Sequence, residues 1–251
     1  MKKYFFVQGE ENFWVEAQSK KFFKLIGSIF ENDPKKTEIK MPRFNANLSV
    51  PFKKNKVIGL AYNYKGMINK KENFDEPLVF FKSSSALTSH KSEIVYPKFL
   101  EKVWIEAELC IVIGKEGKNI DEKKAKDFIL GYTCGNDVTG KNILNRDWHL
   151  ARSKGIDTFA PIGPFLVKDL NCEDLEIKSS INGKITQKSR TSDRILNDHQ
   201  CVELVSKYFT LFPGDIIFSG TPAGATDAVI KPGDEVKIEI ENIGTINNKV
   251  R

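Results

Sequence analysis

The sequence predicts a strand-dominated α+β fold with few helices. Three observations carry this. From Lys56 onward, short apolar or alternating segments bounded by Gly, Pro, Asn and Ser far outnumber segments with a helical period. Helical spacing shows clearly in two stretches only, 121–130 and 197–209. Strands and helices do not alternate as a βαβ series would, and no GxGxxG loop occurs, which argues against a nucleotide-binding fold.

The elements follow in chain order. "KYFFVQ" and "NFWVEA" read as short strands joined by the polar turn "GEEN". A Lys- and Asn-rich stretch spaced by Pro34, Pro42 and Pro51 reads as a connector. The expected organisation is therefore a small N-terminal β region with linker, 1–50, and a main body, 51–251. In the body, "KVIGLAY", "PLVFF", "EIVYP", "VWIEAELCIVIG", part of "FILGYTCGND", "PIGPFLV", "EIKSSING", "DIIFSG" and "EVKIEIENIG" read as strands. "DEKKAKDFIL" reads as a helix capped by Asp121 and stopped by Gly131. "NDHQCVELVSKYF" reads as a second helix, capped by Asn197 or Asp198, with Val202, Val205 and Phe209 on one face. Each of two "PGD" triplets supplies a tight turn before a strand.

With 251 residues, 40% of them hydrophobic, the chain can bury a sizeable core. Its net charge of +6 fits a lysine-rich solubilising surface, and runs such as "KKNK" are too short for a nucleic-acid arm. No apolar run is long enough to span a membrane, and the apolar stretch near the start is too short for a signal peptide. The expectation is a cytoplasmic protein with neither nucleic-acid nor membrane partner. Cys110, Cys134, Cys172 and Cys201 are widely spaced without a CxxC and read as free, mostly buried thiols.

The chemistry concentrates in "VWIEAELCIVIGK", 103–115. Alternation puts Glu106 and Glu108 on one face of a strand, about 6–7 Å apart at the backbone. Two like charges at that distance repel by about 2–3 kcal/mol at an effective dielectric near 20. Three arrangements relieve this: a solvated face, as Glu235, Glu239 and Glu241 suggest for 235–242; an acid/base pair with one proton; or a hard cation between the carboxylates. Asp137, at the end of another strand-like run, would complete an all-oxygen set suited to Mg²⁺ or Mn²⁺ and unsuited to zinc.

With these residues in view, the chain resembles the fumarylacetoacetate hydrolase family from about Val57 to its end. The resemblance rests on an ordered set: "VIGLAYNY", "PLVFFKSSSAL", "VWIEAELCIVIGK", "GYTCGNDVTG", "RSKGIDTFAPIGPFLV", "INGK", "LFPGDIIFSGTPAG" and "KPGDEVKIEIENIGTINN". It implies a mixed β-roll, a homodimer, and a Mg²⁺, Mn²⁺ or Ca²⁺ ion held by Glu106, Glu108 and Asp137. It implies a small anionic 2-oxo or β-diketo acid as substrate, and carbon–carbon hydrolysis, decarboxylation or isomerisation as reaction. Lys154 matches an active-site lysine, able to stabilise an oxyanion or move a proton. Gly220 and Thr221 form a small-residue loop that could contact a substrate carboxylate, and Lys82 could add positive charge.

The departures from the family pattern bear on the reaction. Hydrolytic members carry a histidine after the "NY" pair and a glutamate three residues later. Met67 and Lys70 stand there instead, and methionine moves no proton. Lys141 and Leu144 fall where an arginine and a glutamine often follow the "ND" aspartate. His149, close in sequence to Lys154, is the candidate for a substitute base; His90 and His199 read as surface residues. The expectation is an isomerase, tautomerase or decarboxylase rather than a β-diketone hydrolase, the alternatives being that hydrolase or a catalytically silent metal-binding member.

Overall fold

The structure is a computed structural model that describes residues 2–7, 12–18, 21–31, 34–39, 55–65, 67 and 76–251. The "GEEN" turn in part, residues 40–54 of the connector, and Lys70 lie outside the described residues; the start of the connector, after Pro34, is not a link but a strand, Lys35–Ile39, paired with Lys21–Ile26. The chain runs β1 (Lys2–Val7), β2 (Phe13–Gln18), β3 (Lys21–Ile26), β4 (Lys35–Ile39), β5 (Val57–Ala61), β6 (Leu78–Lys82), β7 (Leu87–Ser89), β8 (Glu93–Ile94), β9 (Val103–Trp104), β10 (Ala107–Ile113), β11 (Ile129–Asn136), β12 (Thr139–Gly140), α1 (Ala151–Lys154), β13 (Ala160–Lys168), β14 (Glu176–Ile181), β15 (Lys184–Arg190), α2 (Asp198–Tyr208), β16 (Ile216–Phe218), β17 (Val229–Ile230), β18 (Glu235–Ile240) and β19 (Gly244–Val250).

These strands form mixed sheets, as the resemblance implies. The largest runs β4-β3-β2-β1-β13-β11-β10-β16-β5-β6, with β7 alongside β13. Its pairs are antiparallel except β5 with β16 and β7 with β13. The N-terminal strands β1 to β4 are an antiparallel meander that continues this sheet through β1 and β13. A second sheet, β15-β14-β18-β19-β8, packs against it, and β12-β9-β17 makes a third.

At the centre, β10 is buried along its whole length. Both of its faces are covered, which is why it reads as a near-continuous apolar run. Leu109, Ile111 and Ile113 enter the core shared with Ile177, Ile238 and Ile246 of the second sheet. Cys110 and Val112 enter a separate core with Tyr4, Trp14 and Phe218. Glu108 shares the parity of Cys110 and Val112, so it too points between covered layers.

The expected single strand at 103–114 is two strands in two sheets. β9 pairs with β12 and β17, whereas β10 pairs with β11 and β16. Between them, the Ile105 amide donates to Ala228 O at 3.1 Å and the Glu106 amide to Asn136 Oδ1 at 3.2 Å. The neighbouring strand β11 ends at the same level, with the Asp137 amide donating to Glu106 O at 3.0 Å. The two segments bend away from the main sheet together.

The segment after Asp121 is a 3-10 helix, Glu122–Phe128, not an α-helix stopped by Gly131. Asp121 does cap it, accepting from the Lys123 amide at 2.9 Å. Pairing of β11 with β10 claims the chain from Ile129, so Gly131 lies within a strand. α2 starts at a reciprocal capping box between Asn197 and Gln200, both hydrogen bonds at 3.0 Å, and buries Cys201, Val202, Leu204 and Val205. Both "PGD" turns hold glycine with positive φ, +90° at Gly214 and +96° at Gly233. The four cysteines are free and buried. Glu235, Glu239 and Glu241 lie outside the core while Val236, Ile238 and Ile240 are buried, the alternation of a half-solvated strand. Among the described residues no helix is long and apolar enough to cross a membrane.

Candidate metal centre

The bend at Ile105–Glu106 and the end of β11 bring Glu106, Glu108 and Asp137 together. Their ligand oxygens lie within 4.8 Å of one another, and all three residues are buried. Every carboxylate is held. Glu106 Oε1 accepts from Trp104 Nε1 at 2.8 Å and from Thr139 Oγ1 at 2.9 Å. Trp104 and Thr139 face each other across β9 and β12, so that small sheet orients Glu106. Glu108 Oε2 accepts from the Gly220 amide at 2.6 Å. Asp137 Oδ1 accepts from Lys82 Nζ, and Asp137 Oδ2 from Lys154 Nζ at 2.5 Å. Lys154 Nζ also reaches Glu106 Oε2 at 2.9 Å and lies 5.2 Å from the centroid of the Phe80 ring.

The electrostatics follow from this packing. Burial, with the charges of Asp137 and Glu106 adding to it, pushes the Glu108 carboxyl well above its ordinary range. Burial pushes Asp137 the same way, but the Lys154 and Lys82 ammoniums outweigh it and hold Asp137 low. Burial lowers Lys82, with Asp137 opposing in part. Lys154 is held above its ordinary value because Asp137 and Glu106 overcome its desolvation. Three carboxyl groups and two lysines thus share one buried cluster, and the cost of gathering the acids there falls most heavily on Glu108.

Two local devices position the lysine and the glycine. α1 is one turn long, and Asp147 Oδ2 ties it down by accepting from Ser153 N at 2.7 Å and Ser153 Oγ at 2.8 Å. This turns Lys154 inward. Gly220 has φ +100°, and a Cβ there would lie 2.8 Å from Asn63 Cβ. Asn63, of the "NY" pair, donates to Ser219 O at 2.8 Å and so fixes the loop that offers the Gly220 amide to Glu108.

Of the residues singled out from sequence, Lys82, Glu106, Glu108, Asp137, Lys154 and Gly220 meet in one cluster. The Gly220 amide is committed to Glu108. Thr221 is adjacent, its hydroxyl accepting from Gln187 Nε2 at 2.9 Å. His149 is exposed and takes no part in the hydrogen bonds described for the cluster. Lys141 pairs with Glu101 at the surface, Leu144 is 77% exposed, and Met67 is half-buried with its amide bonded to Tyr64 O.

Sequence reasoning missed Gln187. It is buried in β15, and its amide accepts from Ala107 N at 3.0 Å and Ser179 Oγ at 2.9 Å while donating to Thr221 Oγ1 and Pro222 O. One side chain thereby ties the residue between the two glutamates to the loop after Gly220. "KITQKSR" gives little sign of this, since its polar pattern is that of an exposed strand.

The donor set passes a chemical test for a hard dication. It is all oxygen and acidic, and its oxygens all lie within 4.8 Å of one another, close enough for one hard ion to draw them together. Comparisons with known proteins place the chain among enzymes of one family. The model of the C-terminal domain of fumarylacetoacetate (FAA) hydrolase matches residues 56–251. A mitochondrial oxaloacetate tautomerase from Bos taurus is 34% identical over 229 residues, 84% of this chain and 71% of the bovine protein. A 5-carboxymethyl-2-hydroxymuconate delta-isomerase from Mycobacterium smegmatis is 34% identical with a TM-score of 0.87, over 100% of this chain and 99% of that one. A 2-hydroxyhepta-2,4-diene-1,7-dioate isomerase from Mycobacterium marinum is 33% identical with a TM-score of 0.88, over 100% and 98%.

Proposed function

The chain belongs to the fumarylacetoacetate hydrolase family, and from that premise we propose that it is a divalent-cation-dependent isomerase or tautomerase of a small anionic 2-oxo acid. The observation that carries this reading is the buried cluster of Glu106, Glu108 and Asp137 faced by Lys82 and Lys154. The isomerase and tautomerase relatives support the reaction class. Glu106, Glu108 and Asp137 would hold Mg²⁺ or Mn²⁺. When bound, such an ion supplies Lewis-acid polarisation of a carbonyl and stabilises an enolate.

The chain's own groups do the rest. Three carboxylates and two ammoniums leave one negative charge, which a dication converts to one positive charge, so an anionic substrate completes the balance. Thr221 carries a hydroxyl whose proton can be donated to a substrate oxygen. Lys154 is the charged group at hand: its ammonium sits against Glu106 and Asp137, inside the cluster, where it can stabilise negative charge developing on a substrate oxygen. Isomerisation passes through an enolate, and stabilising that oxyanion serves it. Hydrolysis needs a base for water, and the sequence has Met67 and Lys70 where the hydrolytic members carry histidine and glutamate. A Glu106→Ala variant tests the reading. It should lose the response of activity to Mg²⁺, and unchanged Mg²⁺-dependent activity would sink the assignment.

A further inference from the structure

Each of the three carboxylates has one oxygen already committed to the protein. Glu106 Oε1 takes two donors, Trp104 Nε1 and Thr139 Oγ1. Glu108 Oε2 takes the Gly220 amide. Asp137 Oδ1 takes Lys82, whose side chain is fully buried. What remains is Glu106 Oε2, Glu108 Oε1 and Asp137 Oδ2. Lys154 Nζ sits on two of these three, at 2.9 Å from Glu106 Oε2 and 2.5 Å from Asp137 Oδ2. An ammonium is a compact point charge with three donors, so it satisfies two carboxylates at once where a cation would otherwise be required.

We propose that Lys154 is the centre's own stand-in cation: it occupies the oxygens that a dication takes, and loading the ion releases its ammonium toward the substrate. This rests on the metal reading above. Two consequences follow. Lys154 competes with the ion, so its presence weakens metal affinity. Metal loading also frees a buried positive charge, so the site gains its anion-binding group only once the ion is in place. The two lysines are not equivalent in this respect. Lys82 holds the committed oxygen of Asp137 and supports the ligand geometry, whereas Lys154 holds the free ones.

The test is a Mn²⁺ titration of the purified protein, followed by the electron paramagnetic resonance signal of free Mn²⁺, on wild type, Lys154→Met and Lys82→Met. Wild type should bind one ion per chain. Lys154→Met should bind it at least about tenfold tighter, and Lys82→Met should change affinity far less or weaken it. Lys154→Gln carries the same expectation if the methionine variant folds poorly. Affinity in the Lys154 variants equal to or below wild type would overturn the proposal. So would equal tightening in Lys82→Met, which would mean a bulk charge effect. Independently of any variant, crystals of the wild type without and with Mn²⁺ should show Nζ leaving both oxygens on loading. Retention of both contacts would overturn it. A wild type that binds no Mn²⁺ would instead remove the metal reading itself.

Discussion

Gln187→Leu removes a side chain that bridges the ligand strand and the loop after Gly220. Its amide makes hydrogen bonds with Ala107 N, Ser179 Oγ, Thr221 Oγ1 and Pro222 O, and the residue is only 2% exposed. The two hydroxyls can turn to other partners; Ser179 Oγ already lies 2.8 Å from Thr186 Oγ1. The Ala107 amide and the Pro222 carbonyl cannot. Each buried backbone group left unpaired costs about 1–3 kcal/mol, so the variant should lose about 2–6 kcal/mol. For a chain of this size 1 kcal/mol moves Tm by about 2–4 °C, which puts the expected fall at roughly 4–24 °C. Differential scanning calorimetry reads the loss, and Mn²⁺ titration reads the accompanying loosening of Glu106 and Glu108 as weaker binding. A Tm within about 2 °C of wild type, with metal affinity intact, would refute the bridging argument.

Three further outcomes are expected. Glu108 titrates above its ordinary value of 4.5, so the stability tied to its proton is complete below that pH and is lost as pH rises through the folded-state pKa. A dication displaces the same proton, so Mg²⁺ affinity should rise with pH over that window by up to about tenfold per unit, and calorimetry in buffers of different ionisation enthalpy should show proton release; pH-independent affinity would contradict this. With one free oxygen per carboxylate, the site should prefer six-coordinate Mn²⁺ and Mg²⁺ to Ca²⁺, which favours more ligands and bidentate carboxylates, and competition titration gives the ratio. Asp147→Ala strips Ser153 of the acceptor that holds α1; turnover should fall through misplaced Lys154 while Mn²⁺ binding is not weakened.

Much of the architecture was legible because strand periodicity and turn residues are local signals. The alternation in "EVKIEIEN" and the glycines of the "PGD" turns translate directly into β18 and its entry turn. The break between β9 and β10 was not legible, because "VWIEAELCIVIG" carries no Gly, Pro or other turn residue near Ile105. What splits it is the partner, β12, which lies more than 30 residues away in sequence and becomes available only when β11 ends at Asn136. The acidic cluster was visible as a charge problem that a cation shared by three carboxylates would solve. Gln187 was not, since its role depends on contacts with Ala107 and Thr221, both remote in sequence. The neighbourhood of Lys154 shows the same limit. His149 is five residues away, yet the single turn of α1 directs Lys154 inward and leaves His149 at the surface.

The most direct measurement sets two reactions side by side on the purified protein: enol–keto exchange of oxaloacetate and hydrolysis of an acylpyruvate, each with Mg²⁺ and with the ion chelated. Mg²⁺-dependent exchange and little or no hydrolysis are expected. Robust acylpyruvate turnover, or exchange indifferent to chelation, would contradict that expectation.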